Sequence, residues 1–186
     1  MWKIPEESHL VFNGHTSNGS TSVDCCRMVS EEMHISGGDD GCLSMWHNQK
    51  KRAVCEVARA HMDHPEEGGG AAAPNAGPED GAAMGGGLNG TGEAAPWVCS
   101  IAALRQTDLV ASGSSDGMVR LWGVDLEERS MHRVGKIAVP GFVNALAFAK
   151  SGRFLLAGVG QEHKLGRWTR IKEGRNGMVL LPLPRV

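Results

Sequence analysis

No stretch of this 186-residue sequence approaches the roughly 18 consecutive apolar residues that a membrane-crossing helix needs. The opening residues, Met1 to Glu7, also lack the apolar stretch of a secretory signal, so a soluble intracellular chain is expected. Excess charge of one sign is missing too. Lys and Arg total 19 against 21 Asp and Glu, and a formal net charge of -2 excludes a global pull towards nucleic acid or acidic membrane. The five cysteines, Cys25, Cys26, Cys42, Cys55 and Cys99, are odd in number and contain no Cys-x-x-Cys pair. That argues against a disulfide framework and a zinc site, and leaves reduced, mostly buried thiols as the expectation. There is no phosphate-binding Gly-rich motif with Lys-Ser/Thr, no metal-ligand spacing and no nucleophile elbow, so neither a cofactor nor an enzyme is expected. What remains is 41% hydrophobic, enough for the core of an ordinary domain.

Composition divides the chain. Between about Met62 and Pro96 it turns to Gly, Ala and Pro, with Asp63, Glu66, Glu67, Glu79, Asp80 and Glu93 and no Lys or Arg. Such a segment has little apolar side chain to bury and a repelling charge, so it cannot offset its ordering entropy. It is expected to be a disordered acidic insertion between two strands, with an acidic docking segment as the alternative. The flanking units are 1–61 and 97–186.

A repeat appears once this insertion is set aside. Residues 33–46 align with 109–122: an apolar run, Ser-Gly, then Asp40-Gly41 or Asp116-Gly117, then a second run ending in Trp46 or Trp122. Asp-Gly between two apolar runs signals a tight hairpin, because that pair tolerates positive φ. Residues 154–168 read as a third, weaker copy, one residue longer and without Asp-Gly, ending in Trp168. Trp2 is read as the end of a fourth. The tryptophan spacings are 44, 76 and 46; removing roughly 30 inserted residues brings the middle one to the period of a four-stranded propeller blade. Each copy has an upstream apolar strand, at 22–29, 97–104 and 142–148. The predicted fold is all-β: a partial β-propeller of about three blades and part of a fourth.

Within a blade, His15, Ser36, Asp40 and Trp46 have the chemistry of a buried relay, repeated as His61, Ser112, Asp116 and Trp122 with Ala60 where glycine usually precedes the histidine. An indole N–H can donate to a serine hydroxyl, the hydroxyl to an imidazole, and the second imidazole N–H to a carboxylate. A His, Ser and Asp also suggest a hydrolytic triad. These serines lie within predicted strands and the set occurs twice, which suits a structural relay rather than an exposed nucleophile. The third copy lacks it, with Ala157 and Glu162 in place of the serine and aspartate and Pro140-Gly141 near the histidine position.

The run Ser22-Val23-Asp24-Cys25-Cys26-Arg27, the paired Ser-Gly/Asp-Gly hairpins, Gly141-Phe142-Val143-Asn144-Ala145-Leu146 and especially 159–168, followed by 170–173 and Arg175-Asn176, resemble the WD-repeat family of the U3 small nucleolar ribonucleoprotein. The resemblance covers nearly everything but the Gly/Ala insertion, and the C-terminal stretch is its most specific part. It implies a seven-bladed ring, of which this chain would be a C-terminal portion. It further implies a nucleolar protein, bound to U3 RNA, a kink-turn-binding protein and other small-subunit processome proteins, acting in precursor ribosomal RNA processing without catalysis and with no membrane partner.

Local charge agrees. From residue 150 to 186, Lys150, Arg153, Lys164, Arg167, Arg170, Lys172, Arg175 and Arg185 face only Glu162 and Glu173, a balance of +6. Such a patch neutralises phosphate and gives salt-dependent affinity. The candidate RNA- or partner-binding residues are therefore His163, Lys164, Arg167, Arg170, Lys172 and Arg175, with His163 and Arg167 expected to stack on or hydrogen-bond to unpaired bases. The alternative is an adaptor that binds only proteins.

Overall fold

A computed structural model describes residues 2–3, 8–9, 11–12, 22–62 and 96–183. Most of the acidic insertion and His15 lie outside the described residues. The chain first forms β1 (Trp2–Lys3) and β2 (Ser8–His9), an antiparallel pair with Trp2 opposite His9. Next comes a four-stranded meander of β3 (Val23–Met28), β4 (Met33–Gly38), β5 (Leu43–His47) and β6 (Cys55–Val57). A second four-stranded meander follows, made of β7 (Val98–Ala103), β8 (Leu109–Ser114), β9 (Met118–Asp125) and β10 (Ser130–Ala138). Neighbouring strands are antiparallel throughout. At the two Asp-Gly bends only the glycine takes positive φ, 73° at Gly41 and 74° at Gly117. The aspartates brace the turns from the other side: Cys42 N–H donates to Asp40 Oδ1 at 2.8 Å and Met118 N–H to Asp116 Oδ1 at 3.0 Å.

The third sheet departs from the expected repeat. β11 (Phe142–Phe148) pairs with β12 (Phe154–Gly160), but the next strand is not the one that ends in Trp168. β12 pairs instead with β15 (Gly177–Pro182), Leu155 opposite Leu181. The Trp168 segment forms β14 (Gly166–Arg170), which pairs only with β13 (Glu162–His163) in a small hairpin between them. The reason is legible in side-chain chemistry. No Asp-Gly turns the chain back after β12, and residues 178–181 supply the apolar run, with Leu181 buried, that a core-facing strand requires.

Successive sheets pack face to face, and the middle one buries both faces. Along β8 and β9, Val110, Trp122 and Val124 point into the core shared with the first sheet, with Ile35, Leu43 and Met45. Ala111, Val119 and Leu121 point into the core shared with the third, with Val143, Leu155 and Ala157. This is the two-residue alternation of strands. Each innermost strand carries a bulge at the same place: between Val23 and Cys25, Val98 and Ser100, and Val143 and Ala145. The valine before the bulge sits over a glycine of the preceding sheet. A Cβ built on Gly37 would stand 2.4 Å from Val98 Cγ1, and one on Gly113 would stand 2.4 Å from Val143 Cγ1. Val98 and Val143 are both 0% exposed. The outer surfaces of the arc show the same device unmatched: Val23 is 55% exposed, and the nearest neighbour of a Cβ on Gly158 is its own sheet's Ala145, at 3.4 Å.

The cysteines are free; Cys42, Cys55 and Cys99 are buried, and burial pushes the thiols of Cys25, Cys42 and Cys99 up to about 12, where they are unreactive.

One polar cluster bridges the first two sheets. His61, in the connection after β6, places Nε2 2.7 Å from Ser112 Oγ, and Trp122 Nε1–H donates to that oxygen at 2.8 Å. The other imidazole nitrogen, Nδ1, lies 3.2 Å from both Asp116 carboxylate oxygens. The cluster has a fifth member that pattern reading missed. Arg120, 2% exposed, stands opposite Ser112 across the β8–β9 ladder and approaches His61 Nδ1 at 2.7 Å with Nη1, which also donates to Asp116 Oδ2. A guanidinium can only donate and a carboxylate can only accept, so Arg120 and Asp116 compete for Nδ1 while also pairing with each other. In the first sheet Trp46 Nε1–H donates to Ser36 Oγ at 2.7 Å, and Ser44 occupies the arginine position. Burial raises the Asp116 carboxyl, but His61 and Arg120 beside it outweigh that and hold it below its ordinary 3.8.

Two predictions follow from this packing. Gly113→Ala forces Val143 aside and should lower stability by about 1–3 kcal/mol, whereas Gly135→Ala, with no atom within 4 Å of its Cβ, should change it by less than about 0.5 kcal/mol; urea midpoints of the two variants measure this. Asp116→Ala strips a buried arginine of its counter-charge and should cost about 3–5 kcal/mol, against about 1–3 kcal/mol for hydrogen bonds lost in Asp40→Ala. Because the folded pKa of Asp116 is depressed, its contribution is present above 3.8 and disappears as pH falls through the folded value. The acid limb of the stability profile should accordingly flatten in Asp116→Asn.

Candidate nucleic-acid interface

The basic residues concentrate on the excursion 161–176, which leaves the third sheet after β12 and returns at β15. Because this segment lacks an apolar run, it is held by amides and close backbone contacts. Gln161 is one hub. Its backbone N–H donates to Asn176 Oδ1 at 2.9 Å, and its Nε2 donates to the carbonyls of Gly174 at 2.9 Å and Lys172 at 3.3 Å. Gln161 Oε1 accepts both Arg170 Nε, at 3.2 Å, and Arg170 Nη2, at 2.7 Å. Asn144, the extra residue in the β11 bulge, is the other hub: Nδ2 donates to the Glu162 carbonyl at 2.9 Å, and Oδ1 accepts the Lys164 N–H at 3.0 Å. Where the two ends of the excursion meet the β10–β11 connection, a Cβ on Gly174 would lie 3.0 Å from Gly141 Cα. Gly141 itself has φ of 118°, so glycine is required there.

The expected site residues divide. Arg170, Lys172 and Arg175 are exposed on the excursion. Lys164 is exposed along its stem, but its ammonium reaches back over the second sheet and donates to the Cys99 carbonyl at 2.6 Å. Arg167 lies in β14, and its side chain is outside the description. His163 corrects the sequence reading. It is 6% exposed, its ring meeting Trp97 edge-on at 5.3 Å and Phe142 at 6.0 Å. Burial lowers its pKa, with Asp24 acting against that and Lys164 adding to it. A ring walled in by two aromatics cannot stack on an unpaired base; it wedges the hairpin against the second and third sheets. The two amide hubs were missed because an Asn or Gln in a loop is ordinary, and only the fold shows which carbonyls it faces.

The described relay residues lie elsewhere, Ser36, Trp46, His61, Ser112 and Trp122 buried between the sheets with Asp40 and Asp116 at the turns. Ser112, 0% exposed, offers no nucleophile. No group of His, Cys, Asp and Glu that could hold a metal ion occurs among the described residues.

Comparison with known proteins agrees with the architecture. Residues 6–47 and 88–123 match the family "WD domain, G-beta repeat". The chain is 43% identical over 180 residues to the human U3 small nucleolar RNA-interacting protein 2, covering 97% of this chain and 32% of that protein. It is 25% identical over 223 residues to the Saccharomyces cerevisiae Ribosomal RNA-processing protein 9, covering 96% of this chain and 38% of the relative. It superimposes on the crystal structure of the RRP9 WD40 repeats with a TM-score of 0.77 and 42% identity, over 98% of this chain and 47% of that one. The chain thus spans about a third of its curated relatives and about half of the solved domain. Repeats matched in sequence, meanders packed blade on blade and identity over nearly the whole chain show WD repeats arranged as an arc of β-propeller, similar to proteins named for the U3 small nucleolar RNA.

Proposed function

We propose that the protein is a non-catalytic scaffold subunit of the U3 small nucleolar ribonucleoprotein, in the nucleolus, where it binds the small nucleolar RNA and partner proteins during precursor ribosomal RNA processing. The names of its relatives support the particle and the process. The observation that carries RNA contact is the excursion 161–176: an unpatterned, basic segment held by amide hydrogen bonds, with Arg170, Lys172 and Arg175 exposed to solvent. A chain with a net charge of -2 that sets Lys164, Arg167, Arg170, Lys172 and Arg175 against only Glu162 and Glu173 on one protrusion is arranged to meet phosphate locally. Buried Ser112 and the absence of any catalytic motif support the non-catalytic role. The kink-turn-binding protein and other processome proteins are proposed to dock on the remaining surface, and the relay residues, His15 included, to serve stability rather than chemistry.

The alternative, an adaptor that binds proteins only, makes a different prediction for one variant. Replacing Arg170, Lys172 and Arg175 together by alanine in the full-length protein should lower the slope of log affinity against log salt for U3 RNA by about 2 units, and reduce RNA crosslinking in cells. An unaltered slope and unaltered crosslinking, with protein partners lost instead, would establish the adaptor.

A further inference from the structure

Resting on that reading, we infer that Gln161 is a positioning residue that presents Arg170 to an RNA phosphate. Arginine carries five N–H donors in a planar fork. Gln161 Oε1 occupies one edge of it, taking the Nε proton and one Nη2 proton at 3.2 and 2.7 Å. The opposite, end-on edge, formed by Nη1 and the second Nη2 proton, is directed away from the glutamine. Two parallel N–H groups at that spacing match two oxygens of one phosphodiester. Gln161 is itself fixed by the Gly174 and Lys172 carbonyls and by Asn176, so the guanidinium is anchored to the returning limb of the excursion. Without it, an exposed arginine samples many rotamers and loses that freedom on binding, at a cost of about 0.5–1.5 kcal/mol, or roughly two- to tenfold in affinity. The sequence context fits. Lys172 and Arg175 flank the same limb, and the Arg170 fork is oriented there by its two hydrogen bonds to Gln161.

The test is a double-mutant cycle in the full-length protein, titrated across a potassium chloride series with a labelled RNA hairpin carrying single-stranded flanks of mixed sequence. Arg170→Ala should lower the salt slope by about 0.7–0.9, the signature of one lost phosphate. Gln161→Ala should weaken binding roughly two- to tenfold with the slope preserved, since Arg170 still reaches phosphate but arrives unordered. In the Arg170→Ala background Gln161→Ala should have no further effect. Equal losses in both backgrounds would mean that Gln161 only holds the excursion together, and would overturn the inference. So would a silent Gln161→Ala, or an Arg170→Ala loss confined to one flank sequence with an unchanged slope, which would indicate a base edge. If Gln161→Ala lowers the melting temperature, Arg170→Lys decides instead: a single ammonium should keep the slope but bind severalfold more weakly, and equal affinity would refute the fork. Should the triple variant of the preceding section change nothing, the RNA reading itself falls; should it weaken binding while Gln161→Ala is silent, only the positioning role falls.

Discussion

The arc is organised by the absence of a side chain. At Gly37 and Gly113 a β-carbon would overlap the valine that opens the innermost strand of the next sheet, so sheets approach closely only where glycine leaves room. The bulge beside each of those valines lets the inner strand bend against its neighbour, and its recurrence in three strands shows that one geometry is repeated, not three separate solutions. The middle sheet, covered on both faces, needs successive residues, and not only alternate ones, to be apolar or satisfied. The buried cluster of Trp122, Ser112, His61, Asp116 and Arg120 meets that requirement by linking each of these side chains to at least one other. On the outer faces of the arc Val23 and Met178 are exposed among the described residues. In relatives two to three times as long, additional chain is available to meet such faces.

Where the third sheet abandons the repeat, the stabilising currency changes from apolar burial to amide hydrogen bonds. Asn144 and Gln161 replace the Asp-Gly turn as the organisers of the chain reversal, and His163 supplies an aromatic wedge in place of a relay. Such a segment is free of the need to present a hydrophobic face inward, which leaves its remaining positions open to cations. Structural degeneracy of the blade and concentration of basic charge are thus two aspects of one substitution. The exposed cations stand where the fold's own pattern has been relaxed.

Much of this was legible in the amino-acid order. The two Asp-Gly hairpins, their terminal tryptophans and their upstream strands follow from period-two patterning and from the one residue type that adopts φ near 73° at no steric cost. Those are local rules, read without knowing what lies across a sheet, and they determined an all-β chain of repeated meanders with its cations gathered at one end. Other features required the tertiary structure. Arg120 looks like an ordinary strand residue until the ladder sets it opposite Ser112 and the preceding blade delivers His61 beside it. His163 reads as a surface histidine beside a lysine until Trp97 and Phe142, 66 and 21 residues earlier in the chain, close over it. The partner of β12 is decided in the same way: the strands ending at Arg170 and Pro182 compete for one ladder, and contacts with the second sheet favour the one that holds Leu181. Local order specifies what a segment can form, whereas contacts between distant segments decide which of those possibilities is realised.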